Sequence, residues 1–130
     1  MKSLDEITGD VIGAGMEVHS ILGPGFLESV YHKAMAHEMD LRGLSFNDKK
    51  MLAVAYKDIV VGDFESDFFV EDLVVVELKA VENLITKFHV QTVNYLAATG
   101  VDIGLLINFG NPSLEYYRKY RTGKNPVESC

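Results

Sequence analysis

Apolar residues near the start of the chain return at three- and four-residue steps: Leu4, Ile7, Val11, Ala14, Val18 and Ile21. That spacing lays one apolar stripe along a first helix. Ser3 and Glu6 frame its start as a capping box, a hydroxyl and a carboxylate that satisfy backbone donors left over at a helix beginning. Gly23-Pro24-Gly25 stops it, because proline disfavours helix in the residue before it and glycine accepts left-handed angles. A second helix is predicted from about Phe26 to Leu41 on Leu27, Val30, Ala34, Met35 and Leu41, with Arg42-Gly43 as its end.

From Met51 the texture turns to β. Met51 to Lys57, Phe64 to Val70 and Leu73 to Lys79 are rich in valine, tyrosine and phenylalanine and predict an antiparallel meander. The third run, Leu73-Val-Val-Val-Glu-Leu78, is apolar at successive positions, as a central strand covered on both faces should be. Helical spacing resumes from Asn83 to Thr99 through Leu84, Phe88, Val93, Leu96 and Ala97, and Gly100 closes it. Ile103 to Phe109 predicts another buried strand. Leu114 to Tyr120 fits a terminal edge strand or a short helix, and the strand is preferred.

Composition narrows the class. The chain has 130 residues, 48% hydrophobic and 24% charged, which predicts one globular domain over 1–130 with an ordered core from about 4 to 121. Its one cysteine, Cys130, supports neither an internal disulfide nor a cysteine-rich zinc site. No apolar run approaches the roughly 18 residues a membrane span needs, and no basic segment followed by an apolar run marks a signal peptide. A cytoplasmic protein with no membrane partner is expected. The net charge of −7 argues against coating nucleic acid through a generally basic surface, although local fields decide what a cleft attracts.

Candidate chemistry starts at the second hairpin. If Glu71, Asp72 and Leu73 form its loop, Val70 lies opposite Val74 and Asp67 opposite Glu77. Like charges directly opposed, roughly 5 Å apart at Cβ, destabilise a sheet unless something positive lies between them. A divalent cation would serve. Glu77 and Lys79, two apart on one strand, project together. The bland alternative is a strand end emerging into solvent with Glu77 and Lys79 in an ordinary ion pair. Gln91 and Tyr95 share one helix face at i, i+4, which alone fits a solvated glutamine beside a half-buried tyrosine. Glu28, in Gly25-x-x-Glu28-x-x-Tyr31, is either a favourable charge at a helix N-terminus or a carboxylate aimed at the sheet. His89, two residues from Gln91, is a candidate for the border of the cleft; His19 is expected to be packed, and His32 and His37 to be surface residues. Arg118, Lys119, Arg121 and Lys124 cluster near the C-terminus; they fit contact with a phosphate backbone or a solvated tail, and the tail is preferred.

Four segments in order, LGPGFLESVY (22–31), DFFVEDLVVVELKAVE (67–82), HVQTVNYL (89–96) and GLLINFG (104–110), resemble the bacterial GxxExxY protein family, grouped within the PD-(D/E)XK nuclease superfamily. The likeness runs from about Ile7 to Tyr120. It implies an α/β restriction-endonuclease-like core, a central mixed β-sheet flanked by helices in the order α-α-β-β-β-α-β-β. Asp67 matches the motif aspartate, Glu77 and Lys79 the E-x-K, Gln91 and Tyr95 the Q-x-x-x-Y helix, and Glu28 the helical acidic residue. Ser66 stands where the superfamily name records proline.

The resemblance implies hydrolysis of nucleic-acid phosphodiester bonds, with DNA preferred to RNA as substrate. Asp67, Glu77 and Glu28 would hold Mg2+, or Mn2+, through hard oxygen ligands. Lys79 would orient or deprotonate the attacking water and stabilise transition-state charge, while Gln91 and Tyr95 position substrate phosphate or a water. Two other classes compete: a non-catalytic nucleic-acid- or protein-binding member of the fold, and a homo-oligomeric scaffold.

Overall fold

The computed structural model describes residues 2–121; Lys124 and Cys130, both used above, lie outside them. The order is α1 (Leu4–Leu22), α2 (Glu28–Leu41), β1 (Phe46–Tyr56), β2 (Ile59–Val70), β3 (Val74–Lys79), α3 (Thr86–Thr99), β4 (Ile103–Asn108) and β5 (Glu115–Tyr120). The five strands form one mixed sheet in the order β1-β2-β3-β4-β5. β3 and β4 run parallel with α3 as the crossover between them, and every other neighbouring pair is antiparallel. The ambiguous segment from Leu114 is therefore an edge strand. Among the described residues no helix is long and apolar enough to cross a membrane.

Both termini of α1 are where the sequence puts them. Ser3 Oγ accepts from Glu6 N while Glu6 Oε1 accepts from Ser3 N, closing the capping box. The next helix starts two residues later than the periodicity suggests, because Phe26 and Leu27 belong to the loop. Tyr31 explains that loop. Its ring is fully buried and stacked on Phe109 at 4.6 Å; its hydroxyl donates to Gly23 O at 2.5 Å and accepts from Phe26 N at 3.2 Å. One side chain thus ties the Gly-Pro-Gly turn to the core and sets where Glu28 begins its helix.

The apolar residues divide between the two faces of the sheet. On one face Ile7, Val11, Val18, Met35 and Met39 of α1 and α2 pack on Phe68, Val76, Leu78, Leu105 and Ile107. On the other, Leu96 of α3 packs with Val75 and Phe64. β3 and β4 are covered on both sides and accordingly read as unbroken apolar runs. The periodicity misplaced the beginning of α3, which starts at Thr86 rather than Asn83, and β1 and β2 extend further as a long hairpin than their apolar runs indicated.

A polar clamp joins the ends of β3 and β4. Asn108 is fully buried; its Oδ1 accepts from Val81 N and Gly110 N, and its Nδ2 donates to Val81 O and Glu115 Oε1. Phe109 N donates to Lys79 O. The backbone leaving Lys79 is therefore held against the loop after β4, and so closely that a Cβ on Gly110 would lie 2.1 Å from Val81 O. Glycine is required there for space, not for an unusual backbone angle. Replacing Gly110 with alanine is expected to destabilise the protein by about 3 kcal/mol, since backbone must shift to admit the methyl; chemical denaturation measures this, and an unchanged midpoint would show that the clamp yields freely.

Candidate active site

The register of the second hairpin is the counted one: Val70 faces Val74, Phe69 faces Val75 and Phe68 faces Val76. The next pair would be Asp67 and Glu77. There the backbone ladder stops and the side chains take it over. Glu77 Oε1 accepts from Asp67 N at 3.0 Å, and Asp67 Oδ2 accepts from Leu78 N at 2.8 Å. Each carboxylate commits one oxygen to the opposite strand's backbone, and the two acids are thereby brought side by side at the point where β2 and β3 part.

Asp67 is also out of the ladder on its other side. β1 pairs Asp48 with Phe68 and Lys50 with Ser66, leaving Lys49 and Asp67 unpaired between them. Lys49 has a φ of 54°. Ser66, in the position the superfamily names for proline, is buried with its Oγ turned back to donate to Phe68 O.

His32 was expected on the surface, and the structure corrects this. It retains only 8% exposure, stacks on Phe68 at 4.3 Å, and brings Nε2 to 2.6 Å from Asp48 Oδ1 and Nδ1 to 3.6 Å from Asp67 Oδ1. The clue was positional: His32 lies one turn beyond Glu28 and one residue after the anchoring Tyr31, on the face that α2 turns to the sheet. His19 is packed as expected, with Nε2 2.8 Å from Asn111 O. The basic tail is corrected as well. Arg118 and Lys119 belong to β5, Arg118 donates to Thr8 Oγ1, and Arg121 pairs with Asp102.

Burial leaves its mark on the acids. Glu77 is pushed up to about 8 from an ordinary value of 4.5, first by desolvation and then by the negative charge of Asp67. Asp67 is raised, chiefly by burial, against the lowering pull of its bond from Leu78 N and of His32. Glu28 is raised too, by desolvation and then by Asp67; since it sits at the exposed start of α2, solvent screening makes its shift the least consequential of the three.

Glu28, Asp67, Glu77 and Lys79 thus share one electrostatic neighbourhood, in which Lys79 lowers all three acids. Among the described residues, however, no lysine or arginine comes within 4.0 Å of any of the three acids, and the imidazole of His32 lies 3.6 Å from Asp67 Oδ1. Lys79 is no simple ion-pair partner of Glu77; its Nζ lies 4.9 Å over the ring of Phe88. Gln91, one turn further along α3, is exposed, and no hydrogen bond among the described residues ties it to the acids. Tyr95 stacks on Phe64 at 3.9 Å, so its ring packs α3 against β2. His89 makes an edge contact with Tyr117 at 4.7 Å, away from the acids.

The donor set suits a hard divalent cation. Two adjacent half-buried carboxyl groups, each with one oxygen engaged by backbone and neither paired with a lysine or arginine, present oxygen ligands. Among the described residues no three Asp, Glu, His or Cys side chains form a ready-made metal cluster.

Fold and site together define an α/β protein whose E-x-K strand ends in an acidic cleft at a split in its mixed sheet. The sequence profile of the PD-(D/E)XK nuclease superfamily matches residues 5–119, and the chain belongs to that superfamily. Among solved structures it is similar to an alkaline exonuclease (LHK-Exo) from Laribacter hongkongensis, at 13% identity over 98% of this chain and 76% of that one, with a TM-score of 0.46. No curated protein sequence matches it significantly.

A carboxyl that titrates near 8 when folded and near 4.5 when unfolded binds a proton on folding between those values. Its contribution to stability is therefore greatest on the acid side and declines as pH rises through that window. In EDTA, the thermal midpoint should fall from pH 5 to pH 8, and Glu77→Gln should flatten the decline and raise the midpoint at pH 8. A variant that melts below wild type at pH 8 would show that ionised Glu77 is stabilising as it stands.

Proposed function

We propose that the protein is a divalent-metal-dependent nuclease of the GxxExxY type that hydrolyses phosphodiester bonds, with DNA as the preferred substrate. The observation that carries the reading is the pair of adjacent, un-neutralised carboxylates, Asp67 and Glu77, beside Lys79 in a chain of the nuclease superfamily. Asp67 and Glu77 would hold Mg2+ or Mn2+, with Glu28 contributing directly or through water. A cation held there supplies Lewis-acid neutralisation of phosphate oxygens and makes water a better nucleophile.

The chain's own groups do the rest. The Asp67 and Glu77 side chains are fixed by the backbone N–H groups of the opposite strands, so their free oxygens are presented without a search for geometry. Lys79 Nζ orients the attacking water and stabilises charge that builds on the phosphate. Stacking on Phe88 and the Asn108 clamp on Val81 restrict where that ammonium can go. Gln91, next on the same helix face as Phe88, positions a substrate phosphate, and Tyr95 holds α3 in place for it by its packing on Phe64.

One observation favours a second reading, a non-catalytic nucleic-acid- or protein-binding member of the superfamily: no three-donor cluster is preassembled among the described residues. Activity decides between them. Plasmid, linear duplex and single-stranded DNA, with RNA alongside, are incubated with the protein in Mg2+, Mn2+ or EDTA. We expect cleavage only with metal, reduced at least about 100-fold by Glu77→Ala or Lys79→Ala. Equal activity in wild type and both variants would mean a contaminant, and no cleavage of any substrate would favour the binding reading.

A further inference from the structure

The cleft in front of Asp67 encloses about 270 Å³ and is lined by Glu28, His32, Glu65 and Asp67 together with two lysines, Lys33 of α2 and Lys49 of β1. Both lysines are exposed, and among the described residues neither makes a side-chain hydrogen bond or an ion pair. In an acidic chain, the acids of this cleft would be the natural place for them to settle. They stand at its edge instead.

Lys49 carries a further anomaly. It lies inside an 11-residue strand with a φ of 54°, a left-handed conformation that costs a residue with a Cβ on the order of 1–2 kcal/mol. No turn needs it there, unlike Lys57 and Asp58 at the hairpin tip or Glu71 and Asp72 at the next one. It takes Lys49 out of the ladder opposite Asp67, the residue that leaves the ladder to present its carboxylate. Strain retained beside a site and serving no local bond points from the outlier to a function.

We propose that Lys49 and Lys33 contact backbone phosphates of a nucleic-acid strand lying in the Asp67 cleft. This rests on the nuclease reading and assigns the strand's path: between the first turns of α2 and the part of β1 around Lys49, in front of Asp67. The two ammonium groups supply the positive charge that a chain of net charge −7 otherwise denies to a polyanion approaching paired carboxylates. They confer no base preference, since phosphate contacts position a strand without reading it.

The test is fluorescence anisotropy of labelled single-stranded and duplex DNA with full-length protein in Ca2+ across a KCl series, using wild type, Lys49→Gly, Lys33→Ala, Lys49→Arg and a control, Lys57→Gln, at the hairpin tip. Each neutral variant at Lys33 or Lys49 should weaken binding several-fold and reduce the slope of log affinity against log salt by about 0.7 on single strands or about 0.9 on duplex. Lys49→Arg and Lys57→Gln should keep the wild-type slope. Lys49→Gly should melt no lower than wild type because glycine tolerates the angle, which separates lost binding from lost folding. Unchanged slopes in Lys49→Gly and Lys33→Ala, with a wild type that binds and cuts, would overturn this proposal and leave the nuclease reading standing. A wild type that neither binds nor cuts would overturn both.

Discussion

The arrangement depends on an exchange at the point where β2 and β3 separate. Asp67 and Glu77 face each other, and each uses a carboxylate oxygen to accept the backbone N–H that the ladder would otherwise have paired. Two like charges are thereby fixed side by side in a half-buried place. The exchange satisfies the backbone donors but not the charges. Burial raises the titration of both acids, and the charge of Asp67 adds to it at Glu77, so a cation is the economical remedy.

Much of the remaining structure holds that point still. β3 is paired to β4 along its length and covered on both faces, so Glu77 and Lys79 project from the most constrained strand in the sheet. Asn108 and Gly110 secure the backbone just beyond Lys79. On the other flank, Tyr31 anchors the loop that launches α2, and α2 brings Glu28 and His32 to the Asp67 side. The rigid parts of the molecule lie behind the acids, while the exposed parts, Glu28, Lys33 and Lys49, lie in front of them.

The elements were legible because their signals are local and periodic. Apolar residues at three- and four-residue steps marked the helices, the unbroken valine run marked the central strand, and counting back from Glu71-Asp72-Leu73 placed Asp67 against Glu77. What the sequence hid were features decided by three-dimensional neighbours. His32 looked like one more polar residue on an amphipathic helix, because its partners, Asp48 and Phe68, lie on other elements. The strand over 114–120 was legible, but Arg118 looked solvated because its partner, Thr8, lies on α1. Lys49 gave no sign at all, since a left-handed lysine within a strand follows from the sheet's departure around Asp67 and not from any preference of lysine. The E-x-K pattern was visible, but its bland reading as an ion pair is excluded only by the coordinates, in which Lys79 stands over Phe88.

The central claim is that the paired carboxylates form a cation site, and calorimetric titration of the metal-free protein with Mn2+ tests it without reference to substrate. The expected result is saturable binding that Asp67→Ala and Glu77→Ala each abolish while the far-ultraviolet circular dichroism stays that of wild type. No heat of binding in the wild type, or binding that survives both substitutions, would contradict it.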